Sequence, residues 1–294
     1  MAEKSATHAR RLVATVVSLL LVSGAVRAQA VSLPIGANVD TALGLLIQMH
    51  RQIRGIHPTL GSLHPIAVLE GDSLFIFDAD SAGTAYRFQR SEHVPFPMQK
   101  GIRASFPLAG YGNTPTCVVS SEVFDSPGGY ATVFHEFVHC SQALTGENDL
   151  KQELHVARAA AAARDYSWEI NHPFPYNDTA FIAAYAGFLH APGDHDSLAV
   201  LQSARDLKRC LAQDDIEYMV WVEWKEGFAR YIENIIRLQF RLAPNLAGRD
   251  RPFDRVTFYY GGEQLISYIA ARHGGKLPDL RALFRELLAL HGSR

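Results

Sequence analysis

Tyr130-Ala131-Thr132-Val133-Phe134-His135-Glu136-Phe137-Val138-His139-Cys140-Ser141-Gln142-Ala143-Leu144 is the stretch on which the reading of this chain turns. Val133, Phe137, Cys140 and Leu144 recur at helical spacing, so the segment predicts a helix laid against a core. His135 and His139 stand at i and i+4 and project one turn apart from a single face. Their imidazoles can share one tetrahedral zinc, with Glu136 beside them near a bound water. Zinc lowers the pKa of water from about 15.7 toward ~7, and a neighbouring carboxylate takes the proton as the water attacks a carbonyl. The same five residues also fit a helix with two surface histidines, so the rest of the chain has to supply a third ligand.

Upstream of this helix the texture is β. PIAVLEGDSLFIFDA (65–79) carries two β-rich runs around Glu70-Gly71-Asp72 and predicts a hairpin, and TPTCVVSSEVF (114–124) predicts a further strand. A helix of about fifteen residues precedes them, capped near Asn38 or Asp40 and ending before Pro58, with Leu43, Leu46, Ile47 and Ile53 on one face. Downstream the apolar spacing is helical over 130–144, 150–166, 178–190, 196–212, 216–240, 262–273 and 278–290. Turn residues separate these segments, at Gly146, Pro173-Phe174-Pro175, Pro192-Gly193, Pro244-Asn245 and Gly274-Gly275. The expected fold is therefore α+β: a small N-terminal sheet, whose last strand borders the cleft, followed by a mainly helical body.

The first thirty residues read differently. Lys4, Arg10 and Arg11 precede the apolar run LVATVVSLLLVSGAV, and Ala28-Gln29-Ala30 follows as a small-x-small cleavage pattern. Residues 1–30 are expected to be a signal peptide, because the run is shorter than the ~20 residues a spanning helix needs. The mature chain then starts at Val31 and is exported, to the periplasm or outside the cell, with no stable membrane insertion after cleavage. Arg10-Arg11 is a weak match to a twin-arginine signal.

A net charge of -2 without a Lys/Arg-rich block argues against a nucleic-acid partner. Cys117, Cys140 and Cys210 allow one disulfide plus a buried thiol, and their spacing is not that of a zinc knuckle. No G-x-S-x-G elbow and no phosphate-binding loop occurs. His155, His172, His190, His195 and His273 are scattered without ligand spacing, and Asp72, Asp78 and Asp80 read as turn residues.

The third ligand is sought in Trp221-Val222-Glu223-Trp224-Lys225-Glu226-Gly227-Phe228-Ala229-Arg230-Tyr231. This run resembles the second metal-binding helix of the gluzincins, and within them the aminopeptidase-N-like clan, whose zinc-binding glutamate sits in a W-x-x-E-G-x-A pattern. Glu226, Gly227 and Ala229 match; Glu223 holds the place of the family's tryptophan, with Trp221 and Trp224 on either side. The resemblance implies Glu226 as third ligand, with Glu223 as fallback. The long interval from His139 to Glu226 implies helices inserted between the two metal-binding helices. Glu147, Glu153 and Glu169 lie nearer in sequence but lack the pattern.

The family also places a tyrosine three residues before a glycine that opens a helix, where it donates to the tetrahedral oxyanion. Tyr259-Tyr260-Gly261-Gly262-Glu263-Gln264-Leu265 is similar; counting back from Gly262 selects Tyr259, with Tyr260 as the alternative. The family's G-x-M-E-N strand motif, whose glutamate holds a substrate amino group, is absent: Val118-Val119-Ser120-Ser121-Glu122-Val123 keeps only a carboxylate, Glu122. The strand itself is expected to offer an open edge to an extended peptide.

The resemblance spans roughly Cys117 to Gly275 and implies a gluzincin-like zinc metallopeptidase domain over 31–294, sheet-rich over 31–128 and helical over 129–294. It implies one Zn2+ on His135, His139 and Glu226, with Glu136 as general base, Tyr259 on the oxyanion, and a peptide or protein as substrate. An exported binding or scaffold protein of the same fold without catalysis is the second expectation, and a zinc hydrolase of a non-peptide amide the third.

Overall fold

The hairpin forms where β-branched and aromatic runs meet a turn that L-residues resist. Gly71 takes a φ of 62°, and Glu70 faces Ser73 across the turn. The computed structural model describes residues 38–94, 101–192 and 197–292, so the expected signal peptide at 1–30 lies outside the described residues.

Strands β1 (Ile66–Glu70) and β2 (Ser73–Ala79) make this hairpin, and β3 (Tyr86–His93) extends it antiparallel. On the other side β5 (Thr114–Ser120) runs parallel to β1, and β4 (Arg103–Leu108) pairs antiparallel with β5. The order is β3-β2-β1-β5-β4. Ala67, Leu69, Leu74, Ile76 and Val118 close one face with Val94 and Leu108. The alternate residues Ile66, Val68, Cys117 and Val119 are buried as well, so the sheet centre is covered on both faces.

Two expectations need correcting here. The strand around Val118-Val119 is not an open edge, because β1 and β4 flank it. β3 and β4, absent from the sequence reading, are the edges. β3 is mostly solvent-exposed and polar, and β4 carries Pro107; edge strands need neither apolar alternation nor every N–H.

α1 (Asn38–Ile53) precedes the sheet and buries Leu43, Leu46, Ile47 and Ile53. After β5 and a 3-10 turn at Ser121–Asp125, helix α2 (Pro127–Leu144) starts with Ser126 Oγ accepting the Gly129 N–H and Pro127 in the first turn. It packs on β4 and β5, and is buried almost all round from Gly129 to Gln142. The helix expected over 150–166 is instead α3 (Glu147–Lys151) and α4 (His155–Ala163). The break has a partner: the carboxylate of Glu217, buried on a later helix, accepts the Val156 N–H at 3.0 Å and so caps the restart. α5 (Trp168–Asn171), α6 (Thr179–His190) and α7 (Ser197–Cys210) follow.

The long helix expected over 216–240 is interrupted. α8 (Gln213–Val222) passes into a π-helical turn, Glu223–Gly227, which passes into α9 (Phe228–Gln239). α10 (Thr257–Arg272) and α11 (Leu280–Leu290) complete the body. Gly262, expected from the resemblance to open a helix, lies inside α10 together with Gly261. A Cβ on Gly262 would stand 2.4 Å from the Glu223 carbonyl oxygen, and one on Gly227 would stand 2.6 Å from Gly262 Cα. The two backbones touch because neither residue has a side chain. No described helix is long and apolar enough to cross a membrane. All three cysteines are free thiols, which replaces the disulfide expectation; Cys140 Sγ lies 3.1 Å from Ser105 Oγ of β4.

Gly262→Ala should therefore lower the free energy of unfolding by about 1–3 kcal/mol, since the added methyl meets backbone rather than a yielding side chain. Urea denaturation measures it; a change below about 0.5 kcal/mol would mean the helices separate at little cost.

Candidate metal centre

α2 contributes two members of a donor set and the π turn the third. His135 and His139 lie on the α2 face turned toward α9, and both are buried, with 6% and 7% exposure. Glu226, in the π turn, brings Oε2 to 3.2 Å from His139 Nε2 and 3.6 Å from His135 Nε2. One ligand atom from each of the three lies within 4.8 Å of the others. It is the one group of three or more metal-binding side chains among the described residues.

The outer nitrogens show how the imidazoles are held. His135 Nδ1 is 3.0 Å from Glu233 Oε2, and Arg237 donates to the other oxygen of Glu233 at 2.7 Å. His139 Nδ1 is 2.8 Å from Gln142 Oε1. The Gln142 amide then donates to the carbonyls of Trp224 and Lys225 at 3.3 and 3.1 Å, which joins α2 to the π turn. Both Nδ1 atoms thus donate to fixed acceptors, and Nε2 of each ring faces the Glu226 carboxylate. This is the arrangement that makes an imidazole a ligand through Nε2. Burial disfavours the charged His135, but Glu226 and Glu233 outweigh it and raise its pKa to about 10. A proton on Nε2 is what a cation replaces.

Glu226 itself is pulled the other way. Burial would raise its pKa, but His139, His135 and Arg255 hold it well below the usual carboxylate range. Glu136 is 6% exposed, and its carboxylate has no hydrogen-bond partner among the described residues. Burial raises its pKa, against the two imidazoles. That is the environment of a carboxylate disposed to accept a proton.

Tyr259, in the first turn of α10, is joined to the cluster by Arg255, which donates both to its hydroxyl and to Glu226 Oε1. Tyr260 faces elsewhere and lines a separate cavity with His190, Arg249 and Phe253. Glu223, the fallback ligand, is fully buried away from the donor set: it accepts the Tyr185 hydroxyl at 2.9 Å and faces His291 Nε2 at 3.2 Å. Glu122 is exposed on the 3-10 turn. Glu153 pairs with Arg285 at the surface. A cavity of about 890 Å³ opens between α2, α9 and the segment leading to α11, and none of the three donors lines it.

The sequence reading missed Glu233, Gln142 and Arg255. Glu233 lies two helical turns beyond Glu226 and Gln142 one turn beyond His139, a spacing that marks a shared face. Arg255 carries no such signal.

Glu147 and Glu169, set aside as ligands, belong to a half-buried ionic cluster beneath the π turn. Lys225 lies 2.9 Å from Glu147 and 3.1 Å from Glu169; Lys151 lies 2.8 and 2.7 Å from the same two, and Trp221 Nε1 donates to Glu169.

Protein-family models, curated proteins and solved structures contain no match to this chain.

The ionic cluster has a consequence for acid stability. Burial would raise the Glu169 pKa, but Lys225 and Lys151 carry it down from 4.5 to about 2, and the Glu147 pKa is lowered by the same lysines. A carboxyl whose folded pKa is depressed contributes stability above its unfolded pKa and loses it as pH falls toward the folded one. Stability should hold above about pH 4.5 and decline toward pH 2, with Glu169 contributing on the order of 3 kcal/mol. Glu169→Gln should flatten this limb in denaturation curves taken from pH 6 to pH 3; an unchanged slope rules the cluster out as its source.

Proposed function

We propose that this protein is a zinc-dependent metallopeptidase of the gluzincin type. The observation that carries the reading is the convergence of His135, His139 and Glu226 within 4.8 Å, with each imidazole backed by its own acceptor. Two neutral imidazoles and one carboxylate form the donor set of a catalytic zinc, which leaves one coordination position open. The fit extends to charge, since a dication would replace the proton that His135 Nε2 turns toward Glu226, leaving the Nδ1 proton on Glu233.

Zinc at this donor set supplies Lewis-acid polarisation and acidifies water. The protein's own groups do the rest. Glu136, buried and uncommitted, accepts a proton from the attacking water and returns it to the leaving amine. Tyr259 donates its hydroxyl to the oxygen on which negative charge develops, an interaction stronger in the transition state than in the ground state. β4, the sheet edge that lies against α2, offers backbone groups to an extended peptide in the place expected of β5. The substrate is a peptide or protein, encountered in the periplasm or outside the cell after removal of residues 1–30.

The purified chain should carry one zinc, measured by elemental analysis. Glu136→Gln should keep that zinc while peptide hydrolysis falls by about 10²–10⁴-fold. Glu226→Ala should lose the metal. A wild-type chain without zinc affinity defeats the reading outright, and full zinc occupancy in the Glu226 variant moves the third ligand elsewhere.

A further inference from the structure

Arg255 lies in the segment between α9 and α10, and its guanidinium meets the cluster with all three nitrogens. Nη2 donates to Glu226 Oε1 at 3.2 Å, Nη1 donates to the Tyr259 hydroxyl oxygen, and Nε donates to the Glu169 carbonyl oxygen at 3.0 Å. The side chain is 24% exposed, so it stands at the rim of the site rather than beneath it.

The two oxygens of Glu226 are thereby made unequal. Oε1 is committed to Arg255, while Oε2 faces both imidazoles. The Tyr259 hydroxyl is constrained in the same way. Its oxygen receives the Arg255 N–H, and its single hydrogen is donated to no described protein group. The guanidinium carbons of Arg255 and Arg230 also lie 5.2 and 5.5 Å from the centre of the Tyr259 ring.

We propose that Arg255 is a positioning residue for both groups: it turns Glu226 so that Oε2 alone faces the imidazoles, and it holds the Tyr259 oxygen so that the phenol hydrogen is left for an acceptor in the site. The proposal rests on the metal-centre reading given above. Charge by itself does not account for the arrangement. A guanidinium is a rigid fork that spans two acceptors, whereas an ammonium acts as one point charge. The third hydrogen bond, to the Glu169 carbonyl, locks the fork and links it to the residue that also receives Lys225 and Lys151.

The test uses the full-length protein loaded with zinc, for affinity by chelator competition, and with cobalt(II), whose visible bands report coordination number and symmetry. Arg255→Met should weaken zinc binding by about 10–100-fold, the usual cost of losing a group that orients a ligand. It should also shift the cobalt bands, because both oxygens of Glu226 become free to approach the metal. Arg255→Lys keeps the charge without the fork, so its bands should also differ from wild type, with an intermediate affinity. If the methionine variant does not fold, as judged by circular dichroism, the lysine variant decides. Cobalt bands unchanged from wild type overturn the positioning role whatever the affinity, since a loss of affinity alone reflects general loosening. A wild-type chain that takes up neither metal overturns the metal reading, and this inference with it.

Discussion

A carboxylate taken out of water has to be matched by positive charge, and Glu226 is where this fold meets that demand. An unpaired buried charge costs several kcal/mol, so its surroundings cannot be left to chance. Here His135 and His139 face one oxygen and Arg255 the other. The second ring nitrogens are satisfied in turn by Glu233 and Gln142, and Glu233 by Arg237. His135 is answered across helices by Glu233 of α9, while His139 and Glu233 find Gln142 and Arg237 on their own helices. That mutual satisfaction separates a built site from two histidines that happen to share a helix face.

The demand explains the packing around it. α2 and the π turn are held at hydrogen-bond distance by Gln142, which reaches two carbonyls of the turn. α10 closes from the far side only because Gly227 and Gly262 let backbone touch backbone. Beneath the turn, Trp221 and Trp224 meet at 5.1 Å between centroids with their planes tilted by 37°, and both pack edge-on against Phe284 of α11. The ions of Glu147, Lys151, Glu169 and Lys225 lie beside Trp221. A turn that departs from α geometry is thus fixed on one side by aromatic packing and charge, and on the other by a bare glycine contact. π turns inserted in α-helices recur at functional sites, where they redirect one or two side chains.

The same turn resolves a choice between two glutamates. Glu223 and Glu226 are three residues apart and in a regular α-helix would share a face. The wider π turn separates them. Glu226 goes to the imidazoles, while Glu223 goes into the core against Tyr185 and His291. No local propensity encodes this separation. It follows from α10 pressing on the turn at Gly262 and from the hydrogen bonds of Gln142.

By itself the sequence determined the α+β class, the hairpin at Gly71, most of the helices and the pairing of His135 with His139 on one face. Each of these depends on short-range spacing: period 3.6 for helices, period 2 and a turn glycine for the hairpin. What lay beyond it was non-local. β3 and β4 are edge strands whose exposed residues need no apolar pattern, and α3 and α4 part because a carboxylate from α8 caps the second of them. Which glutamate joins the histidines, and that Arg255 grips it, was decided only by the tertiary structure. Those contacts close loops of 29 to 91 residues, and the geometry that selects them exists only once the helices are packed.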